Sequence, residues 1–109
     1  MHPESSIQIV LLTLPSMEKA REIASALVES QLAACVNLVP AIESIYRWQG
    51  SVHRDAEVLG IVKTTADALP ALEARVRELH PYAVPEFIAL NPEHVAAPYA
   101  AWVVESVRA

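Results

Sequence analysis

The stretch Cys35–Thr65 reads CVNLVPAIESIYRW-QG-SVHRDAEVLGIVKTT, and this pattern predicts one long β-hairpin. Its arms, Cys35–Trp48 and Ser51–Thr65, contain many β-branched and aromatic residues, which favour strands. Gly50 supplies the positive φ that a two-residue hairpin loop needs between them. Pro40 cannot donate a hydrogen bond to a neighbouring strand, so it indicates a bulge or a bend in the first arm.

The length of this hairpin predicts that its outer half leaves the domain that carries it. An arm of roughly 14 residues spans roughly 45 Å, whereas a chain of this size has a radius of gyration of about 13 Å. The outer half nevertheless carries Ile45, Tyr46, Trp48 and Val52. Burial of one aromatic side chain is worth about 4–6 kcal/mol, and an exposed apolar ribbon invites aggregation. We therefore expect neighbouring copies of the chain to cover the tip, with Tyr46 and Trp48 as interface anchors. The alternative is that these two rings stack on a ligand.

The segments on either side of the hairpin predict alternating strands and helices. Ile7–Leu14 is a near-continuous apolar run, typical of a buried strand. Ser16 is a suitable N-cap for a first helix, and Asp67 for a second helix that Pro81 ends. The inner stripe predicted for the first helix consists of Ala20, Ile23, Ala24, Leu27 and Val28.

The end of the chain predicts one more strand and one more helix. Glu86–Leu90 indicates a short strand, and Pro98 fits the first turn of a last helix. The inner stripe of that helix is predicted to contain Tyr99, Trp102, Val103 and Ser106. Trp102 is also a third candidate for an interface anchor.

The predicted element order is β-α-β-β-α-β followed by a C-terminal helix. This order is typical of an α+β, ferredoxin-like fold, in which an antiparallel sheet carries two helices on one face. At 109 residues the chain is expected to form a single domain, residues 1–109. Only the C-terminal helix is left to cover the other sheet face, which is a second reason to expect subunits that pack together.

Composition and charge exclude several classes of partner. The chain is 53% hydrophobic and 19% charged, with a mean hydropathy of +0.28, which is apolar for a soluble monomer. A net charge of -5 argues against nucleic acids and anionic membranes, because both need a basic face. No apolar run approaches the roughly 18 residues of a membrane span. Met1–Ser6 lacks the features of a signal peptide, and a single cysteine fits a reducing compartment. We expect a cytoplasmic protein.

Several spaced motifs of this chain resemble the CutA divalent-cation-tolerance family, from Ile7 to about Val107. The motifs are Leu32-Ala-Ala-Cys-Val-Asn-Leu-Val-Pro40, Tyr46-x-Trp48-x-Gly50, Glu57, Lys63-Thr-Thr65, His80-Pro-Tyr-x-Val-Pro-Glu86 and Tyr99 with Trp102. The resemblance implies a cytoplasmic homotrimer of ferredoxin-like subunits whose long strands pair across subunits. It also implies an architecture similar to the trimeric nitrogen-regulatory signalling proteins. The number of subunits comes from this resemblance alone.

The chain departs from the copper-ligand pattern of some members of that family. Their ligands include a cysteine late in the first strand and two adjacent histidines at the end of the second helix. Here the first strand has Leu12 and Thr13, and the histidine pair is replaced by Leu79-His80. The motif that begins at His80 also carries Ala83 where the family often has a polar residue.

His80 and Cys35 are the candidate metal ligands. His80 ends a helix, where it can bind a metal, titrate near neutral pH or cap a carbonyl group. Cys35 lies between Ala34 and Val36, so it is either a packed thiol or a ligand. One cysteine and one histidine cannot close a tetrahedral site in one subunit. A copper or zinc site would have to be shared between subunits, and no organic cofactor is expected.

Glu57 and Lys63 are the candidate ligand-binding residues of the second arm. They are six residues apart, so they share a sheet face, and each needs a partner if that face is buried. One interpretation is an ion pair between subunits. The other is a pocket between subunits that binds a small anion or polar ligand through Lys63, Glu57, Tyr82 and Glu86.

The sequence predicts a binding protein rather than an enzyme. It contains no Ser-His-Asp order, H-E-x-x-H or C-x-x-C motif. The favoured hypothesis is a trimeric divalent-cation-tolerance protein that binds divalent metal ions or a small ligand in clefts between subunits. The alternatives are a structural or signalling trimer that binds a partner protein, and an enzyme whose active site lies between subunits.

Overall fold

The computed structural model describes residues 6–108. Its elements are β1 (Ile7–Leu14), α1 (Met17–Glu29), β2 (Cys35–Trp48), β3 (Ser51–Thr65), α2 (Leu69–Leu79), β4 (Ile88–Leu90) and α3 (Ala97–Ser106). Within the described residues the strands form one antiparallel sheet in the order β2-β3-β1-β4. The chain therefore has a mixed α+β fold, with the order of elements that the sequence predicts.

The hairpin has the turn, the register and the bulge expected from its sequence. Gln49 and Gly50 both have positive φ, 49° and 82°, the combination that a type I′ turn requires. Next to the turn Trp48 pairs with Ser51, and the pairing continues without a shift as far as Ile42 and Glu57. The register then shifts between Val39 and Ile42, where Ala41 has a φ of 60°. The bulge predicted at Pro40 is confirmed, because two residues of β2 oppose one of β3.

The outer half of the hairpin projects beyond the rest of the sheet. β1 stops pairing with β3 at Val58, so the seven residues from 51 to 57 overhang by roughly 23 Å. The long axis of the molecule measures 45 Å. On this ribbon Ile45 is 60% exposed, Trp48 43% and Val52 64%, so the predicted exposure of the apolar tip is confirmed.

The main core lies between one sheet face and helices α1 and α2. Val10, Leu12 and Leu14 of β1 alternate toward it and pack with residues of both helices. The Ser16 side chain accepts a hydrogen bond from the Lys19 backbone N–H at 3.1 Å, which confirms the N-cap of α1. The buried residues contributed by the two helices are Ala20, Ile23, Leu27, Leu72 and Val76. The prediction that Val28 belongs to the inner stripe of α1 was wrong, because this residue is exposed.

The C-terminal helix packs on the opposite face by a different stripe from the one predicted. Ala100 and Val103 are fully buried and pack with Ile7, whereas Tyr99 and Trp102 stay exposed. The predicted stripe was therefore wrong for these two aromatic residues. Because α3 is apolar almost all round, periodicity does not fix its inner side, and the small Ala100 allows the closest approach to the sheet.

Other predictions also need correction. Asp67 does not cap α2, because it lies in a 3₁₀ turn (Ala66–Ala68) and the N-cap position is occupied by Ala68, which has no side-chain capping bond. The last strand begins at Ile88, so Glu86 belongs to the preceding loop. The signal-peptide argument rests on the segment before Ser6, outside the described residues. Within residues 6–108, no helix is long and apolar enough to cross a membrane.

Candidate functional site

An open cavity of about 730 Å³ lies between the projecting ribbon and the loop that follows α2. The ribbon contributes residues of β2 and β3, the loop contributes residues 82–86, and the end of β1 contributes Thr13. The lining residues are Thr13, Ser44, Ile45, Tyr46, Trp48, Glu57, Tyr82, Ala83, Val84, Pro85 and Glu86. This volume is in the range of small-molecule sites.

His80 fixes the start of the loop that forms one wall of the cavity. It is buried, and one ring nitrogen, Nε2, lies 2.7 Å from the Thr13 carbonyl oxygen. The other, Nδ1, accepts a hydrogen bond from the Tyr82 backbone N–H at 3.2 Å. These two bonds define a neutral imidazole that donates through Nε2–H. The His80 and Tyr82 rings also pack at 4.5 Å between centroids, so the loop is held to the end of β1.

Tyr82 and Glu57 connect the loop to the ribbon. The Tyr82 hydroxyl donates to a carboxylate oxygen of Glu57 at 2.7 Å, and Glu57 is only 9% exposed. Burial, followed by this bond to the anionic Glu57, raises the pKa of Tyr82 well above its usual range. The pair therefore links the two walls of the cavity by a hydrogen bond to a charged group.

Negative charge accumulates in this cavity. Burial raises the pKa of Glu86, and the nearby carboxylate of Glu57 raises it further. Asp55 accepts a hydrogen bond from the Tyr46 hydroxyl, and this bond is the main cause of the raised pKa of Tyr46. Among residues 6–108, no lysine, arginine or histidine lines the cavity. Within one chain the cavity is therefore suited to cations, which argues against the small anion considered from the sequence.

Lys63 does not lie near the other predicted pocket residues of its own chain. It pairs with Ile9 and Cys35 at the opposite end of the sheet, six residues from Glu57 and so roughly 20 Å away. The structure brings together Glu57, Tyr82 and Glu86, and it leaves Lys63 out. The two charges share a face, as predicted, but they lie too far apart to pair within one chain, so the ion pair between subunits stays a prediction.

The two candidate metal ligands lie apart from each other. His80 contacts Thr13, which pairs with Leu59, whereas Cys35 pairs with Lys63; four residues of β3 separate these pairs by roughly 13 Å. A metal at His80 would also have to displace one of its hydrogen bonds. Within residues 6–108, no group of three or more His, Cys, Asp or Glu side chains is placed to hold a metal ion.

The sequence left two roles open for Tyr46 and Trp48, as interface anchors or as rings that stack a ligand. Both line the cavity, a position that is compatible with either role. The register accounts for this position, because Tyr46 lies opposite His53 and so shares a face with Asp55 and Glu57. What the register could not reveal is that the loop after α2 lies over that face.

Comparisons with known proteins identify close relatives. Residues 8–106 match the family model described as "CutA1 divalent ion tolerance protein". A divalent-cation tolerance protein CutA of Thermus thermophilus is 54% identical over 99 residues, which cover 91% of this chain and 96% of that protein. Human protein CutA is 49% identical over 98 residues, 90% of this chain but only 55% of the human protein. This chain thus spans about half the length of its human relative.

Solved structures agree with the fold of the chain. The crystal structure of CutA1 from Oryza sativa superimposes with a TM-score of 0.93 at 40% identity, and 97% of each chain is covered. A CutA structure from Archaeoglobus fulgidus, described as periplasmic, gives a TM-score of 0.90 at 33% identity and covers 94% of this chain and 99% of that one. Both likenesses extend over the sheet, the helices and the long hairpin, because nearly the whole chain is aligned.

Proposed function

The chain belongs to the CutA1 divalent ion tolerance family, and from that premise we propose that it acts as a non-catalytic homotrimer of ferredoxin-like subunits. In this proposal it works in the cytoplasm and binds divalent metal ions or a small ligand in clefts between subunits. The observation that carries the proposal is the cavity between the projecting ribbon and the loop after α2, with Glu57, Tyr82 and Glu86 in its wall.

Assembly is supported by the apolar surface that one chain leaves in water. Tyr46 and Trp48 at the ribbon and Trp102 on α3 are all exposed, and large aromatic residues are the usual anchors of interfaces. The free edge of β2 runs the length of the hairpin and is open to a strand from another copy. A cleft between subunits would then include the cavity, since one wall of the cavity is formed by the projecting half of the hairpin that the neighbouring subunit would contact.

The assembly is tested by sedimentation and by thermal unfolding at several protein concentrations. The intact chain should sediment as a trimer at micromolar concentration, and Trp48→Ala should dissociate it or make the unfolding midpoint strongly dependent on concentration. Val28→Ala is the matched control, because Val28 is similarly exposed but lies on α1. A stable monomer, or a trimer unaffected by Trp48→Ala, would contradict the role of the ribbon.

The metal-binding part of the proposal requires ligands from more than one subunit. His80 and Cys35 remain the proposed ligands for Cu²⁺ or Zn²⁺, with a second copy supplying the rest. Calorimetry of the assembled protein with each ion should give a heat of binding that His80→Ala and Cys35→Ser reduce. If both variants gave the same heat of binding as the intact protein, His80 and Cys35 would be excluded as ligands. The carboxylates Glu57 and Glu86 would then be the remaining candidates.

A second candidate function is a structural or signalling trimer that binds a partner protein. It is favoured by the pair Tyr99 and Trp102, whose rings pack at 5.5 Å between centroids while both stay exposed on α3. If this pair is a partner surface, Tyr99→Ala should leave the trimer and its metal binding unchanged. If it is a subunit contact, the same substitution should weaken the trimer.

A further inference from the structure

We propose that the cavity selects an organic cation, an alkylammonium or quaternary ammonium group, held over aromatic rings and beside two carboxylates. This inference rests on the proposed function of the cavity as a ligand site, and it names the chemical class of the ligand. The residues that carry it are Tyr46, Trp48 and Tyr82 for the rings, and Glu57 and Glu86 for the charge.

The aromatic residues supply the first argument. Three of the eleven lining residues are Trp or Tyr, although Phe, Trp and Tyr make up only 6% of the chain. A cation within about 6 Å of such a ring is attracted by its quadrupole, and cages of several rings are the usual way to bind methylated ammonium groups. The cavity therefore has the wall composition of a cation cage rather than that of a phosphate or carboxylate site.

The uncompensated charge supplies the second argument. The ion pairs formed by the described residues include neither Glu57 nor Glu86, and none of the basic side chains between residues 6 and 108 lines the cavity. Glu57 accepts a bond from Tyr82, which leaves further acceptor positions on its carboxylate. A bound cation would offset the repulsion between these carboxylates, which comes after burial as a cause of the raised pKa of Glu86.

The size and the apolar part of the wall favour an organic cation over a bare metal ion. Val84 and Pro85 line the same space, and a divalent ion would gain nothing from these apolar residues because it needs several oxygen or nitrogen ligands. The described residues offer no such group of ligands. A methylated or alkyl ammonium group contacts rings, aliphatic side chains and carboxylates together, so it uses every kind of group in this wall.

Choline is the probe, and its neutral isostere 3,3-dimethyl-1-butanol is the matched control ligand. Binding to the assembled protein is followed by calorimetry and by tryptophan fluorescence in a Trp102→Phe background, where Trp48 is the only reporter. Choline should quench Trp48 and bind at least about tenfold more tightly than the neutral isostere, because the loss of one well-placed charge is worth about a factor of ten.

Variants separate the cavity from general charge effects. Glu86→Gln should weaken choline binding by about tenfold, whereas Glu29→Gln, a change of the same charge at the end of α1, should leave it unchanged. The affinity for choline should also rise with pH as Glu86 ionises, while that for the neutral isostere should not. Equal binding of choline and its isostere, or an effect of Glu29→Gln as large as that of Glu86→Gln, would overturn the inference.

Other outcomes distinguish this inference from the proposed function. If choline does not bind but Cu²⁺ or Zn²⁺ binds with a heat that Glu86→Gln reduces, the ligand class is wrong and the cleft remains a ligand site. If nothing binds at this cleft, both proposals fail. If Lys63→Ala creates choline binding that the intact trimer lacks, the cavity holds the lysine of a neighbouring copy, and the proposal of a free ligand is overturned.

Discussion

Tyr82→Phe is expected to destabilise the fold through a single lost hydrogen bond. The substitution keeps the ring that packs on His80 and removes only the hydroxyl that donates to Glu57 at 2.7 Å. The acceptor is a carboxylate that is 9% exposed, so water cannot fully replace the donor. The change therefore tests the link between the loop and the ribbon without altering the shape of the cavity.

The magnitude follows from the environment of the two groups. Hydrogen bonds to charged groups contribute about 1.5–3 kcal/mol, and the 37% exposure of Tyr82 lowers the expected loss to about 1–2 kcal/mol because water screens such contacts. Urea denaturation at one fixed protein concentration should show a midpoint lower by roughly 0.5–1 M. A fixed concentration is needed because dissociation of subunits also changes the midpoint.

The dependence of this effect on pH has a defined sign. The pKa of Tyr82 is raised in the folded state, so the phenol contributes stability that is fully present below the unfolded value of about 10. That contribution is lost as the pH rises through the folded value. The difference between the intact protein and Tyr82→Phe should therefore be constant from neutral pH to about 9 and shrink at higher pH.

Tyr99→Phe provides the matched control. Tyr99 is similarly exposed, and its hydroxyl makes no hydrogen bond to any residue from 6 to 108, so its loss should change stability by less than about 0.5 kcal/mol. Glu57→Gln completes a double-mutant cycle with Tyr82→Phe. Equal midpoints for Tyr82→Phe and Tyr99→Phe, or no coupling between residues 57 and 82, would refute the account of this contact.

Three further predictions concern the turn, the cavity and a helix cap. Gly50→Ala should cost about 1–2 kcal/mol through backbone strain alone, since φ is 82° and an added Cβ meets nothing within 4 Å; an unchanged urea midpoint would contradict this. Glu86→Gln should stabilise the chain at pH 7 by up to about 1 kcal/mol and have no effect near pH 4. The reason is that the raised pKa of Glu86 makes its ionisation more costly in the folded state than in the unfolded state. A variant less stable than the intact protein at pH 7 would contradict this. Ser16→Ala should cost about 1 kcal/mol by removing the N-cap bond to Lys19, whereas an equal cost for Ser51→Ala would point to a general effect of losing a serine.

The local features of the fold were predictable because each rests on residues close together in sequence. The positive φ at Gly50, the pairing of Ile42 with Glu57 and the bulge after Val39 all follow from turn chemistry and from proline. The inner side of α3 was not predictable, because apolar residues lie on most of its surface and only the contact with Ile7 selects Ala100.

The site was predictable only in part, for a related reason. Glu57, Tyr82 and Glu86 do come together, but Lys63 shares only their sheet face and not their position along it. The contact that places the loop over the ribbon is the bond between His80 and Thr13, two residues 67 positions apart. No pattern of period 2 or 3.6 encodes such a contact, so the cavity became visible only in three dimensions.

The bulge in β2 determines the chemistry of the cavity as well as the shape of the ribbon. Before the bulge, the odd-numbered Val39 of β2 shares a face with the odd-numbered residues of β3. After the bulge, the even-numbered Tyr46 and Trp48 share that face instead. Because side chains alternate along a strand, an unbulged strand would have placed Arg47 on the face of Glu57 instead. Tyr46 and Trp48 would then have pointed to the other face, and the cavity would have lost two aromatic walls. The extra residue at Pro40-Ala41 therefore accounts for the aromatic wall beside Glu57, the combination on which the proposed cation binding depends.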